Sequence, residues 1–458
     1  MTTGRRTAAV LTLLAVLAAA GCRTVDGLLP AAPVTAHERY AESLEKAGLT
    51  EFGVGRDWVA VSGRALAGAV PVTLPFRETG YFPGDTAMAV AWRVPARRGQ
   101  RLVVEVAAER SASAEPARLF LDLFEVDTSE TPPWKHRRSA DSLPALDVEI
   151  EEDTEYLVRL QPELFRSGRY TVTITSAPVL AFPVQGKDAR AVQSYWGADR
   201  DAGRRVHQGI DIFADRGTPA LAAVDGYVTN VGVNRLGGNV VWLRDERRGI
   251  TLYYAHLDRQ LVEEGQRVSP GDTIGTIGNT GNARTTPPHL HFGIYRRGEG
   301  PRDPYPYVHL SPDQPPEPLE AGVPLVTLAR AVRGARLRAA PAVRADTVAE
   351  LPPGTLVQIL AGSGDWRRVA LPDGRGGWLA ARSAESLGSP LQRRSLAVTR
   401  PLLERPDSGA VATDSVRPGG EVAVLAHAGG YSWVRTAAGR EGWLPAEPET
   451  ARSSAGGR

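Results

Sequence analysis

His289-Leu290-His291-Phe292-Gly293-Ile294-Tyr295 places two imidazoles on alternate positions of a run that reads as a β-strand. Side chains at i and i+2 of a strand share one face, about 6.6 Å apart. One histidine can then hold a metal while the other stands at the reacting atoms, both carried by a single rigid element. Two further segments belong with it, His207-Gln208-Gly209-Ile210-Asp211 and Tyr254-Ala255-His256-Leu257. The chain has only 8 histidines in 458 residues, and half of them fall in these three short stretches. Imidazole with carboxylate suits a borderline-soft divalent ion, and three protein ligands with one open position describe a catalytic zinc. A further imidazole beside such an ion can take or return a proton.

His207 and Asp211 are four apart, but Val206 to Phe213 does not read as helix, having Gly209 inside and β-branched neighbours. In a flat strand the two would lie roughly 13 Å apart, too far to share one ion. Gly209 is therefore expected to permit a bend or bulge that turns both side chains inward. His256 is expected at the end of another strand.

At this length the chain exceeds one hydrophobic core, and its Gly 48 and Pro 35 suit short strands and turns. Arg5 and Arg6 precede an apolar run from Ala8 to Ala20 that is too short to span a membrane and has the form of an export signal. Its end, Leu17-Ala18-Ala19-Ala20-Gly21-Cys22, resembles the lipobox of bacterial lipoproteins, which implies acylation at Cys22. Cys22 is the only cysteine, so an intrachain disulfide is excluded. Removing residues 1–21 takes two arginines from 54 basic residues, leaving 52 against 52 acidic. A formally neutral chain has no strong pull toward nucleic acid, and none is expected as a partner.

A mainly β architecture is expected throughout. After the signal (1–21), residues 22–50 read as a lipid-anchored linker with one short helix in Ala36 to Gly48. From about Asp57 to Thr175 short alternating runs separated by turns suggest a β-sandwich accessory domain, bounded at 51–180. Within it, Thr154 to Arg159 leading to Gly168-Arg169-Tyr170 resembles pre-peptidase accessory sandwiches. The histidine motifs fall in an antiparallel β-sheet domain at 181–315, followed by a Pro-rich linker at 316–328. Beyond it lies a repeat at an offset of 65: Leu337 and Pro341 match Leu402 and Pro406, Pro353-Gly354 matches Pro418-Gly419, and Gly377-Trp378-Leu379 matches Gly442-Trp443-Leu444. The two units, 329–386 and 394–449, resemble bacterial SH3-like barrels, and 450–458 is expected to be a disordered tail.

Taken together, His207-x3-Asp211, Tyr254-Ala255-His256-Leu257 and Pro288-His289-Leu290-His291-Phe292-Gly293 resemble the LytM/lysostaphin-type zinc peptidases that cleave peptidoglycan cross-links. The resemblance covers about residues 183–310 and extends to Trp196-Gly197-Ala198, Ala223-Val224-Asp225-Gly226-Tyr227-Val228 and Gly278-Asn279-Thr280-Gly281. It implies His207, Asp211 and His291 as ligands of one Zn²⁺ ion, and His256 and His289 as the catalytic histidines, leaving open which of these acts as base. One departure is the loop Asn282 to Pro288, slightly longer than the family's and with Pro287 in place of glycine. It should border the groove.

The function implied is an exported endopeptidase acting on peptidoglycan stem peptides or cross-links, held to a membrane by its lipid anchor. With Arg23 after Cys22, the outer membrane is favoured if the cell has one. The alternative is a non-catalytic LytM-like regulator or scaffold of another wall hydrolase. Such proteins are expected to lack one or more metal ligands, and all five positions are filled here.

Overall fold

A computed structural model describes residues 35–109, 118–140, 144–200 and 203–446. The export signal, Cys22 and the tail at 450–458 lie outside the described residues. Among the described residues, no helix is long and apolar enough to cross a membrane. Among the described residues the fold is mainly β, with helices confined to short pieces and an N-terminal pair.

That pair begins with Ala36–Lys46, where Thr35 caps the N-terminus and Glu38 reaches back to the Thr35 amide, a reciprocal capping box. The second helix, Gly53–Ala67, replaces the strands expected from about Asp57. Val59-Ala60-Val61 looks strand-like locally, but Trp58 and Leu66, eight apart and so just over two turns, are the positions buried against the sheet. A Cβ at Gly55 would stand 2.2 Å from the Leu49 carbonyl oxygen, so glycine there lets this helix sit against the preceding turn.

The sheet that carries the histidine motifs runs in the order Val192–Ser194, Ile210–Phe213, His289–Arg296, Ile250–Gln260, Gly238–Asp245, Gly226–Asn234 and Arg267–Val268. Alternation along His289–Arg296 sorts its two faces. Leu290, Phe292 and Ile294 are fully buried in a core with Ile210, Ile212, Leu252 and Tyr254, and His289, His291 and Tyr295 emerge on the opposite side. The strands are antiparallel, with His291 paired between Asp211 on one neighbour and Ala255 on the other. Residues directly opposite share a face, so register brings Asp211 beside His291.

The N-terminal strands form two sheets around one core that includes Trp92, Val94, Leu160, Val172 and Ile174. The chain leaves this core for the histidine-bearing sheet and then returns. Its segment around 316–323 lies across the first sheet system, where Arg77 donates to the Pro316 carbonyl and Arg169 to those of Leu319 and Glu320. Leu356–Ser363 of the first repeat then pairs along Phe76–Phe82, extending the N-terminal sheet into the repeat.

Six strands of the first repeat start at 327, 335, 347, 356, 366 and 376, and six of the second at 392, 400, 412, 421, 431 and 441. Every start is displaced by 65. The two tryptophans of the repeated Gly-Trp-Leu occupy equivalent registers, Trp378 opposite Arg338 and Trp443 opposite Leu403. Each, however, packs into the unit before its own. Trp378 is fully buried in the N-terminal core, edge-on to Phe76, and Trp443 joins Leu356 and Leu387 of the first repeat. Beside Trp378, Arg368 forms a buried ion pair with Glu78. The repeats are thus stacked in series.

Candidate metal centre

His207 Nε2, Asp211 Oδ1 and His291 Nδ1 form a triangle whose three edges are each 3.0 Å. Neighbouring donors around a tetrahedral zinc with bonds of about 2.0–2.1 Å stand roughly 3.3 Å apart, so the triangle is of the size one such ion requires. The protonation pattern agrees. His207 Nδ1 lies 2.9 Å from the Tyr195 carbonyl oxygen, to which it donates. A neutral ring fixed in this way turns the Nε2 lone pair toward Asp211 Oδ1. At that distance the two atoms need a cation between them, either a proton or a metal ion. The donor set therefore fits a divalent ion of the zinc type.

Local structure explains why the three meet. Asp211 lies in Ile210–Phe213, but His207 precedes that strand and is held by a loop pair, its amide donating to the Ala198 carbonyl and its own carbonyl accepting from Gly197. Gly209 acts differently from the expected bend. Its φ is not positive, and a Cβ there would stand 2.6 Å from the Phe292 carbonyl oxygen and 2.7 Å from His291 Cε1. Glycine is required because the backbone passes directly over the His291 ring.

The electrostatics are those of a paired buried site. Burial opposes ionisation of Asp211, but hydrogen bonding and charge from His207 and His291 outweigh it and hold the carboxyl well below the usual carboxylate range. Burial lowers His291, with Asp211 pulling the other way. Arg200, which no motif spacing marked, sits on the far side of the carboxylate. Its Nη2 donates to Asp211 Oδ2 at 2.7 Å and to Ser194 Oγ at 2.6 Å. That contact leaves Oδ1 as the oxygen facing the two imidazoles.

His256 and His289 stand beside the triangle. Their rings are 5.0 Å apart, and His256 is 5.9 Å from His291. His256 lies within Ile250–Gln260 and not at its end. Pairing with Gly238–Asp245 slips between Tyr254 and Leu257, and His256 has φ +64°. This bulge breaks the alternation that would have turned His256 into the core, and both Ala255 and His256 line the groove. His256 Nδ1 donates to the Thr280 carbonyl and His289 Nδ1 to that of Pro287, both at 2.9 Å. In each neutral ring the unprotonated nitrogen is then Nε2. Burial, with the neighbouring His289 and His291, pushes His256 down to about 4. Phe213 stacks on His289 at 4.9 Å and fixes its plane.

All five sequence-predicted residues thus line one groove of about 900 Å³, with Asn282, Ala283 and Thr286 of the longer loop on its rim. Tyr253 and Tyr295 line its wall, backed by Trp242.

A buried His-Asp-His triangle flanked by two oriented imidazoles, on one face of an antiparallel sheet, is a metallohydrolase type of centre. The model of peptidase family M23 matches residues 205–304, and that of the bacterial SH3 domain residues 333–385. The chain accordingly carries a peptidase family M23 domain followed by a bacterial SH3 domain. It is 39% identical over 139 residues to an L-Ala–D-Glu endopeptidase of Bacillus subtilis (strain 168), spanning 28% of this chain and 42% of that protein. Over 94 residues it is 48% identical to the peptidoglycan DD-endopeptidase ShyC of Vibrio cholerae, spanning 20% and 21%. Among solved structures, the catalytic domain of lysostaphin from Staphylococcus simulans is 30% identical, covering 25% of this chain and 88% of that one, with a TM-score of 0.23. The chain spans less than half the length of the curated relatives it matches.

Proposed function

We propose that the chain is an exported, zinc-dependent endopeptidase that hydrolyses peptide bonds in peptidoglycan stems or cross-links. The observation that carries this reading is the 3.0 Å triangle of His207, Asp211 and His291 with two further histidines oriented beside it. His207, Asp211 and His291 would hold the ion, which when bound supplies Lewis-acid activation of a water and of the scissile carbonyl. His256 and His289 do the rest through Nε2. One would accept the proton of the attacking water on Nε2 and, once charged, return it to the leaving amine, while the other orients that water as an acceptor. Their Nδ1–H bonds to backbone carbonyls fix tautomer and direction before substrate arrives. Names of relatives that act on peptidoglycan support the substrate class.

Digestion of purified sacculi tests this, with mass spectrometry of the released fragments. Wild type with zinc should free new stem-peptide ends, and His256→Ala should bind zinc yet free none. Zinc binding without release by wild type would overturn the enzyme and favour a regulator. The membrane reading rests on Cys22: Cys22→Ala should move the protein from the membrane to the soluble fraction, and retention in the membrane would contradict lipidation.

A further inference from the structure

The bulge that brings His256 into the groove is held by two side chains besides its backbone bond to the Gly237 carbonyl. At the edge of the slip in pairing, Asn239 faces Leu257, and its Nδ2 donates to the carbonyls of both Leu257 and Asp258 at 3.0 Å. Thr280, from the loop after Thr273–Ile277, inserts its hydroxyl between the same two strands. Its Oγ1 accepts from the Asn239 amide and donates to the Leu257 carbonyl, both at 2.9 Å. The carbonyl of that same threonine is the acceptor for His256 Nδ1. The loop is pressed close, since a Cβ at Gly238 would stand 2.2 Å from Thr280 Oγ1. Neither Asn239 nor Thr280 is among the described residues lining the groove.

We propose, resting on the hydrolase reading above, that Asn239 and Thr280 are positioning residues for His256, a clamp that fixes where its Nε2 points. A non-glycine residue at φ +64° is strained, and such a conformation persists only where its surroundings over-determine it. The bonds from Asn239 and Thr280 do so on the C-terminal side of His256. Without them the strand is free to relax toward the regular alternation that turns this position into the core. Thr280 also ties this backbone to the ring, because a shift of its hydroxyl moves the carbonyl that holds Nδ1–H. Proton transfer to or from a water needs Nε2 within hydrogen-bond reach, and a misplacement of about 1 Å can cost on the order of 100-fold in rate. None of these bonds reaches a metal ligand, so loss of the clamp falls on kcat and leaves the zinc in place.

The test sets Thr280→Val, Thr280→Ser and Asn239→Asp beside wild type, all full-length and zinc-loaded. Valine keeps the shape of threonine without its hydroxyl, and aspartate puts an acceptor where Asn239 donates to two carbonyls. Hydrolysis of soluble peptidoglycan fragments, prepared by glycan digestion of sacculi, gives kcat and KM. Proton–nitrogen correlation spectra of the histidine rings give the tautomer of His256, its signal assigned by its absence in His256→Ala. Thr280→Val and Asn239→Asp should lose about 10–100-fold in kcat, with KM within about twofold of wild type. Both should keep one zinc per chain, with the Nδ1–H form of His256 no longer the sole tautomer. Thr280→Ser should recover most of the rate and the wild-type tautomer. Undiminished kcat in Thr280→Val overturns the clamp, and so does a loss of rate matched by lost zinc or a raised KM, which a merely structural role would give. If Asn239→Asp does not fold, Thr280→Val against Thr280→Ser decides by the same readings. A tautomer fixed in wild type and released in Thr280→Val, with no hydrolysis by wild type, supports the clamp and overturns the hydrolase reading instead.

Discussion

Arg200 and Gly209 are single residues whose roles come from contact rather than from motif. Arg200→Gln removes a charged donor from Asp211 Oδ2, and supporting hydrogen bonds of this kind typically set metal affinity by about 10–100-fold. Chelator competition should show a loss of that size, partly restored in Arg200→Lys; unchanged affinity would make Arg200 a bystander. Gly209→Val pushes new carbons into the Phe292 carbonyl and the His291 ring, so zinc stoichiometry should fall well below one. Full stoichiometry would refute the close-approach argument. The five site residues were legible in the sequence because chemistry restricts metal ligands to few residue types and a strand's alternation fixes which of them share a face. Arg200 was not, because an arginine in an irregular loop has no periodicity to betray its target. The His256 bulge was hidden for a related reason: an extra residue in one strand is visible only against its partner's register.

At the scale of elements, the N-terminal helices depend on a histidine outside the metal centre. His37 is 7% exposed, stacks on Trp58 at 4.7 Å, and donates through Nε2 to Gln161 Oε1, whose amide in turn donates to the Trp58 carbonyl. Burial, aided by the charge of Arg159, pushes it down to about 4 from an ordinary 6.5. The unfolded chain takes up this proton below about pH 6.5 while the folded one resists it to about 4. Stability is therefore full above 6.5 and falls between 6.5 and 4, by roughly 3 kcal/mol for this group. His37→Gln should lower stability at neutral pH but flatten this acid-side loss in pH-dependent thermal unfolding; an equally steep loss would assign it to other groups. The first helix was legible from its spacing and the glycine after it. The second was not, since its short apolar run fits either period and only packing against the sheet chooses.

For the whole molecule, the tryptophans of the repeat decide how the units are joined. The repeat was legible in the sequence, but what its tryptophans pack against was not, because a repeat says nothing about what lies outside it. Trp378 lies in the N-terminal core and Trp443 against the first repeat. Trp378→Ala should cost about 3–5 kcal/mol, as for a buried aromatic, and should open the segment around 316–323 to limited proteolysis. Stability loss without new cleavage would mean the repeat holds its place by strand pairing alone. A stack of this kind gives the peptidase sheet a fixed setting, since the N-terminal core touches both it and the first repeat. Gly99 packs under Tyr307, and Glu149 pairs with Arg248 at 2.6 Å. All of this serves the triangle of donors on the peptidase sheet. Anomalous diffraction at the zinc edge from zinc-soaked crystals of the full chain tests it most directly. One peak is predicted, about 2.0–2.2 Å from each of His207 Nε2, Asp211 Oδ1 and His291 Nδ1. A peak elsewhere, or none at saturating zinc, would contradict it.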